Sequence, residues 1–253
     1  MKQSKFKLIA LIPARSGSER IKNKNIINFY NHPLISYTII SALKTKLFDK
    51  VFVSTNSKKY AQIAKFYGAD VSFLRPNKYS KSSSSDFEWI KYTLDKLKKN
   101  KIHFTHFFIL RPTNPFRNEK TIIKAWKLFK KNKKAESLRA ISETKFHPGK
   151  MWLLRNNRIS PLKKFNVNNQ PSYNNQFKVL PKIYIQNASL EISKVDVLKK
   201  YKTITGKYII PFFSSKFEEI DINYFEDLLN IDFLIKNKKI PRPKIKIKSY
   251  FNK

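Results

Sequence analysis

Between positions 13 and 25 the chain reads Pro13-Ala14-Arg15-Ser16-Gly17-Ser18-Glu19-Arg20-Ile21-Lys22-Asn23-Lys24-Asn25. A glycine lets backbone N–H groups approach a ligand closely, and cations on either side supply charge, so this composition suits a triphosphate. Arg15 can pair bidentately with phosphate oxygens, while Lys24 offers a movable point charge. The segment has neither the Gly-Lys-Ser/Thr ending of a Walker A loop nor the glycines of a dinucleotide fingerprint. A chain with 53 basic residues also sets some of them beside a glycine by chance, so the loop alone leaves both readings open.

A second cluster lies near the other end of the chain. Among only 17 acidic residues, Glu218-Glu219-Ile220-Asp221 stands out. In extended backbone Glu219 and Asp221 project to the same face, and they are hard oxygen donors of the kind magnesium takes. The same residues also read as a solvated acidic turn at a helix N-terminus. His32, His103, His106 and His147 have no H-E-x-x-H or similar spacing, so core or surface roles are expected rather than zinc ligation. Ser82 to Ser85 lack a nucleophile elbow and read as a helix cap. The chain contains no cysteine, which excludes disulfides, thiolate catalysis and thiolate-bound zinc and fits a reducing compartment, the cytoplasm.

These residues must be held by regular elements. The apolar run 6–12 predicts a buried strand of a parallel sheet. From Pro33, Ile35, Ile39, Ala42, Leu43 and Leu47 fall on one helical face, and 51–55 follows as a strand. Segment 58–67 predicts a helix closed by Gly68 in a left-handed conformation, and 69–74 a short strand. Phe87, Ile90, Leu94 and Leu97 form the buried stripe of the next helix. Strand 104–110, helix 121–131 and strand 135–142 continue the alternation. Such alternation implies right-handed crossovers and a doubly wound, mainly parallel α/β sheet of Rossmann-like type, with ligands at the carboxyl ends of the strands. The stretch 151–180, rich in Asn, Gln, Lys and Pro, interrupts the pattern as an inserted arm or lid. Strands are expected again at 180–192 and 208–213. A last helix over 224–235 is expected to turn Phe225, Leu228, Leu229 and Phe233 inward. Residues 1–235 thus form one domain, and 236–253 a basic tail, solvated or loosely attached as a strand.

The formal charge is +36, a field that attracts phosphate polymers and anionic surfaces without a specific site. The lysines are spread through nearly every segment, alongside abundant Asn, Ile, Phe and Tyr, and no RNP box is present. No specific nucleic-acid partner is therefore expected. The run 8–12 is too short for a signal-peptide core or a membrane span, and no membrane association is expected.

The segment 12–25 resembles the I-P-A-R-x-G-S-x-R-x-x-x-K-N signature of the sugar-acid cytidylyltransferases, and its Lys24-Asn25 ending resembles the acylneuraminate (CMP-sialic acid synthetase) branch. Further segments match in order. Val51 to Asn56 resembles the family's second strand, and Tyr67-Gly68-Ala69-Asp70 with Phe73-Leu74-Arg75-Pro76 resembles Y-G-A-x-V-x-F-L-R-P. Ile109 to Arg117 is similar to L-L-Q-P-T-S-P-L-R, and Leu180 to Ser189 to L-P-K-V-Y-R-Q-N-G-A. The matches cover roughly 6–235.

The resemblance implies a nucleotide-diphospho-sugar transferase fold with an inserted dimerisation arm, a homodimer, and magnesium as cofactor. It implies CTP and a sugar acid as substrates, with catalytic groups Arg15 and Lys24. Ala14, Gly17, Ser18, Asn25, Arg75 and Arg111 are implied at the nucleotide, Lys150, Gln186 and Asn187 at the sugar, and Asp221 with Glu219 at the metal. Asn25 also reads as a turn former, Arg75 as a strand-end surface residue and Lys150 as one more exposed lysine. Arg111 stands where the family commonly has Gln, Glu219 where it has Asp, Ser82 where an acid is frequent, and Ala188 where it has Gly. The implied reaction is attack of a nine-carbon sugar acid on the α-phosphorus of CTP, giving CMP-sugar and pyrophosphate. KDO or another sugar acid as substrate remains open, as does a basic nucleic-acid-binding protein on a degenerate nucleotidyltransferase scaffold.

Overall fold

The computed structural model describes residues 6–252; the lysines at 2 and 5 and the two chain ends that bound the expected domain and tail lie outside them. The elements in chain order are β1 (Leu8–Pro13), a short hairpin of β2 (Asn28–Phe29) and β3 (His32–Pro33), α1 (Leu34–Lys44), β4 (Lys50–Ser54) and α2 (Lys58–Phe66). Then come α3 (Asp86–Lys99), β5 (His106–Ile109), α4 (Glu119–Lys131) and β6 (Ser137–Glu143). After the short pairs β7 (Trp152–Arg155) with β8 (Arg158–Pro161) and β9 (Asn166–Val167) with β10 (Gln170–Pro171), the chain continues through β11 (Tyr184–Lys194), α5 (Asp196–Tyr201), β12 (Ile209–Phe213) and α6 (Phe225–Lys236).

The main sheet has the order β12-β6-β11-β5-β1-β4. Its centre is parallel: β1 pairs with β4 (Leu11 opposite Phe52) and with β5 (Ile9 opposite Phe107), whereas β11 runs antiparallel to β5. Strand β1 is apolar without interruption because both its faces are covered. Leu8, Ala10 and Ile12 enter one core cluster with α1, α2 and α4, and Ile9 and Leu11 enter another with Trp89, Ile90, Leu94 and Leu97 of α3. The mixed α/β, mainly parallel sheet expected from the alternation is thus present, and the carboxyl ends of β1, β4 and β5 lie side by side.

Helix starts follow the local chemistry. Ser85 accepts from the Glu88 N–H, and the Glu88 carboxylate accepts in return from the Ser85 N–H at 2.8 Å, so α3 begins with a reciprocal cap where the serine run predicted one. After α2, Gly68 takes φ +91° as expected.

Four local expectations are corrected. Segment 69–74 is not a strand but a single bridge between Phe52 and Asp70, because Phe73 turns aside to pack on Phe52 and Tyr92. Leu43 is exposed at the end of α1 while the rest of its set is buried or packed on the core. In α6 the inward residues are Ile231, Leu228, Leu234 and Ile235, and Phe225, Leu229 and Phe233 are 61, 56 and 63% exposed. That helix is apolar nearly all round, so periodicity could not select its buried face. The tail contains no strand among its described residues. Ile240 and Ser249 are buried, Ile245 and Tyr250 pack on the core, and the Ser249 hydroxyl donates to the Asn31 carbonyl.

The chain divides into two compact units, one of 1–140 with 187–253 and one of 141–186. The second unit holds β7 to β10, three 3₁₀ turns and the expected arm. Its strands β7 and β8 are exposed nearly throughout.

In the first unit, Gly206 lies against Glu136. A Cβ there would come within 2.3 Å of the Glu136 Cβ, while the Gly206 N–H donates to Ser137 Oγ at 2.8 Å. Gly206→Ala is therefore expected to lower stability by about 1–3 kcal/mol through overpacking, measured as a shift of the denaturant midpoint at unchanged m-value.

Candidate functional site

The loops leaving β1 and β5, the segment 75–89 that leads into α3, and residues 221 and 223 border a cleft with a cavity volume of about 450 Å³. Seven of the sequence-predicted residues line it: Arg15, Ser18, Lys24, Asn25, Arg75, Arg111 and Asp221. The first loop is fixed from below. The Ala14 N–H donates to the Ser54 carbonyl at 2.9 Å, the Ser16 N–H to Asn56 Oδ1 at 2.9 Å, and buried Asn25 to the Arg15 carbonyl at 3.2 Å. Gly17 adopts φ +76°, a left-handed turn that a side chain would strain, and its carbonyl accepts from Arg15 Nη1 at 2.9 Å. Ala14 and Gly17 thus shape the backbone around Arg15 and Ser18.

Lys24 joins the two ends of the chain. Its ammonium donates to the Ile222 carbonyl at 2.8 Å and to Asn223 Oδ1 at 3.1 Å. Burial holds its pKa below the ordinary lysine value; Asp221 and Asp227 oppose that shift, and Arg20 and Arg15 add to it. Asp221 stands beside it, with Oδ2 accepting from Asn223 Nδ2 at 2.6 Å and Oδ1 buried without a hydrogen-bond partner. The segment is clamped on both sides of Asp221, because Asn114 Nδ2 donates to the Ile220 carbonyl at 2.9 Å and the Ile222 N–H to the Thr113 carbonyl at 2.9 Å. Glu219 ends a 3₁₀ turn, Lys216–Glu219, and does not line the cleft; the side chain two residues on from Asp221 that does is Asn223. The extended pairing of Glu219 with Asp221 fails because that turn interrupts it.

Arg75 is buried at 5% exposure. Its Nε and Nη2 donate to Ser54 Oγ and to the Ser54 carbonyl at 2.9 and 2.7 Å, and its guanidinium lies over the Trp89 ring at 4.6 Å. Burial pushes its pKa down to about 10, which leaves it charged at neutral pH. Trp89 Nε1 donates in turn to Asp86 at 2.7 Å. Arg111 is already paired, donating to Asp86 at 2.5 Å and to Glu191 at 3.0 Å, and Glu191 also pairs with Arg139. Burial works to raise the Asp86 carboxyl, but its Arg111 partner and the Trp89 hydrogen bond outweigh it and leave the pKa below the ordinary value. Arg111 therefore enters the cleft wall as part of a neutralised network rather than as a bare cation.

The sugar-side candidates differ in setting. Asn187 is buried, donates to Ser214 Oγ at 2.9 Å and accepts from the Ser189 N–H. Lys150 and Gln186 belong to the second unit; Lys150 donates to the Tyr173 carbonyl at 3.3 Å, and Gln186 is exposed. His147 packs within that unit, with Nδ1 accepting from the Gly149 N–H and Nε2 donating to the Pro181 carbonyl.

Among the described residues no three His, Asp or Glu side chains converge as a metal cage. The partnerless Asp221 Oδ1 nevertheless fits an oxygen-seeking divalent cation that takes its remaining ligands from phosphates and water.

A family model described as "Cytidylyltransferase" matches residues 9–147. The chain belongs to the cytidylyltransferase family. As a cytidylyltransferase family member it is 33% identical to an N-acylneuraminate cytidylyltransferase of Escherichia coli O18:K1:H7, over 86% of this chain and 49% of that one. It is 30% identical to a pseudaminic acid cytidylyltransferase and UDP-2,4-diacetamido-2,4,6-trideoxy-beta-L-altropyranose hydrolase of Helicobacter pylori, over 87% and 41%. The chain spans less than half the length of these two relatives. Its fold matches a solved CMP:2-keto-3-deoxy-manno-octonic acid synthetase complexed with CTP, with a TM-score of 0.64, 13% identity, and 92% and 99% of the two chains covered. Members of the family generally use a divalent metal ion. No described helix is long and apolar enough to cross a membrane.

The cleft also holds residues that the sequence did not single out. Arg20 lies within the first motif and stacks over Tyr224 at 4.7 Å; its place in the signature was signal enough. Asn223 carried a signal in its two-residue spacing from Asp221. Trp89 and Asp86 carried none beyond a helix start, since their role depends on Arg75 and Arg111 arriving from other strands.

Proposed function

We propose that this chain is a magnesium-dependent transferase that couples CTP to a nine-carbon sugar acid of the N-acylneuraminate type. The observation that carries this reading is the meeting of Arg15 and Lys24 with Asp221 in one cleft, although some 200 residues of chain separate them. The anomeric hydroxyl oxygen of the sugar acid bonds to the α-phosphorus, the bond to the β-phosphate breaks, and pyrophosphate and a proton leave. Negative charge gathers on phosphate oxygens, so preorganised cations stabilise the transition state without a protein nucleophile.

In this reading Arg15 and Lys24 receive the triphosphate, with Gly17 and Ser18 setting the loop. Arg75 and Asn25 define the nucleoside end, and Ser54 and Trp89 hold Arg75 at a fixed angle. Asp221 would hold the magnesium ion, which, when bound, neutralises phosphate charge. Lys150, Gln186 and Asn187 are proposed for the sugar acid, Asn187 through the loop it braces. A homodimer using the arm at 151–180 and a cytoplasmic location complete the proposal.

The test is pyrophosphate release with CTP, magnesium and a panel of N-acetylneuraminate, legionaminic, pseudaminic and KDO acids. Turnover with a nine-carbon acid is expected. A preference for KDO would replace the sugar assignment, and activity with UTP or TTP alone would overturn the cytidylyl reading.

The electrostatics of Lys24 add a pH signature. A free-enzyme lysine whose pKa is lowered loses its proton earlier as pH rises, so kcat/KM for CTP should fall on the alkaline side below the usual lysine range. The limb should move to higher pH in kcat, where bound phosphate favours the ammonium. It should be absent in both profiles of Lys24→Arg.

A further inference from the structure

We infer that Asn223 is a positioning residue that sets the Asp221 carboxylate and keeps the cation site at a single negative charge, so that the site closes only on a divalent cation carried by the nucleotide. The inference rests on the proposed function.

Asn223 is the bridge between the two charged groups that meet at the chain's crossing point. Its Oδ1 accepts from Lys24 Nζ at 3.1 Å, and its Nδ2 donates to Asp221 Oδ2 at 2.6 Å. An ammonium only donates and a carboxylate only accepts, so a carboxamide satisfies both in one orientation and no other. The Asn223 N–H is itself fixed on Asp227 Oδ2 at 2.7 Å, at the start of α6. The result is that Asp221 Oδ2 is engaged and Oδ1 is the oxygen left without a partner.

Charge then decides what that oxygen can hold. Asp221 and Glu19 share the cleft with Arg15, Arg20, Lys24, Arg75 and Lys81, and Asp86 is neutralised by Arg111. One free carboxylate oxygen amid these cations attracts a bare divalent ion poorly. A triphosphate brings several oxygens and excess negative charge, which complete the coordination and reverse the repulsion. A carboxylate at position 223 would supply the second negative oxygen donor and pair with Lys24 as a charge, removing the need for the nucleotide.

Manganese titrations followed by electron paramagnetic resonance test this on the whole chain, with and without α,β-methylene-CTP, which binds but is not cleaved. The wild-type chain should bind Mn²⁺ measurably only with the analogue present. Asn223→Asp should bind Mn²⁺ without it. Asn223→Ala, which frees Asp221 to rotate, should weaken analogue-dependent Mn²⁺ binding about tenfold, the scale set by supporting contacts around a metal ligand. Thermal melts of each variant separate these effects from misfolding. Equal Mn²⁺ affinity of the wild-type chain with and without the analogue would overturn the inference, and so would unchanged Mn²⁺ binding in both variants. Failure of the analogue itself to bind the wild-type chain would instead overturn the cytidylyltransferase reading, and this inference with it.

Discussion

Asp221→Ala is expected to lower CMP-sugar formation by about 10³-fold, the scale of losing a group that stabilises transition-state charge, while the chain stays folded. Asp221 supplies the one buried cleft oxygen without a hydrogen-bond partner among the described residues. Its removal leaves Arg15 and Lys24 in place in the cleft. The loss should therefore fall on kcat, with the KM for CTP unchanged or lower, since Arg15 and Lys24 keep their attraction for the triphosphate. Stability should change little, because the side chain sits at the wall of an open cleft and its one hydrogen bond, to Asn223, is worth about 1 kcal/mol. Glu219→Ala serves as the comparison and should have a small effect, since Glu219 does not line the cleft. Steady-state kinetics with both variants checks the contrast, and an Asp221→Ala chain with near-normal kcat would remove Asp221 from the chemistry.

The sequence was most readable where one local rule was enough. The uninterrupted apolar run of β1 announced a strand covered on both faces, Ser85 with Glu88 announced the start of α3, and Gly68 announced the end of α2. Five ordered motifs then identified the family and brought Arg15, Lys24 and Arg75 forward, while Asp221 stood out in the acidic cluster 218–221 beyond them. What stayed hidden depended on contacts between distant segments. The inward face of α6 was ambiguous because its apolar residues fall nearly all round the helix, and only the cluster of Phe29, Tyr37 and Ile222 selects Ile231. Whether residue 219 or residue 223 accompanies Asp221 is decided by a short 3₁₀ turn that alternation cannot foresee. The departure of Arg111 from the family's Gln was visible, but its neutralisation by Asp86 and Glu191 needed α3 and β11 to be brought to β5.

Arg117→Ala is expected to destabilise the chain by about 4 kcal/mol, which at roughly 2–4 °C per kcal/mol for a chain this size lowers Tm by about 12 °C. The side chain is 1% exposed. Its Nη2 donates to Thr38 Oγ1 at 2.9 Å and to the Arg111 carbonyl at 3.2 Å, and its Nη1 to the Ser189 carbonyl. Burial pushes its pKa down to about 9 against the pull of Glu218 and Asp221, so it remains charged at neutral pH. Alanine leaves those acceptors without their donor and opens a cavity beneath the 111–117 loop. That loop supplies both hydrogen bonds that flank Asp221, from Asn114 and from the Thr113 carbonyl. The surviving folded fraction should therefore also show a lower kcat well below its Tm, an effect that lost stability alone does not produce. Arg117→Lys keeps the charge but not the forked geometry, and should fall between wild type and alanine in both Tm and kcat. A parallel recovery of the two would tie the placement of Asp221 to this buried guanidinium, whereas recovery of Tm with kcat still depressed would assign the loop's geometry to the fork itself.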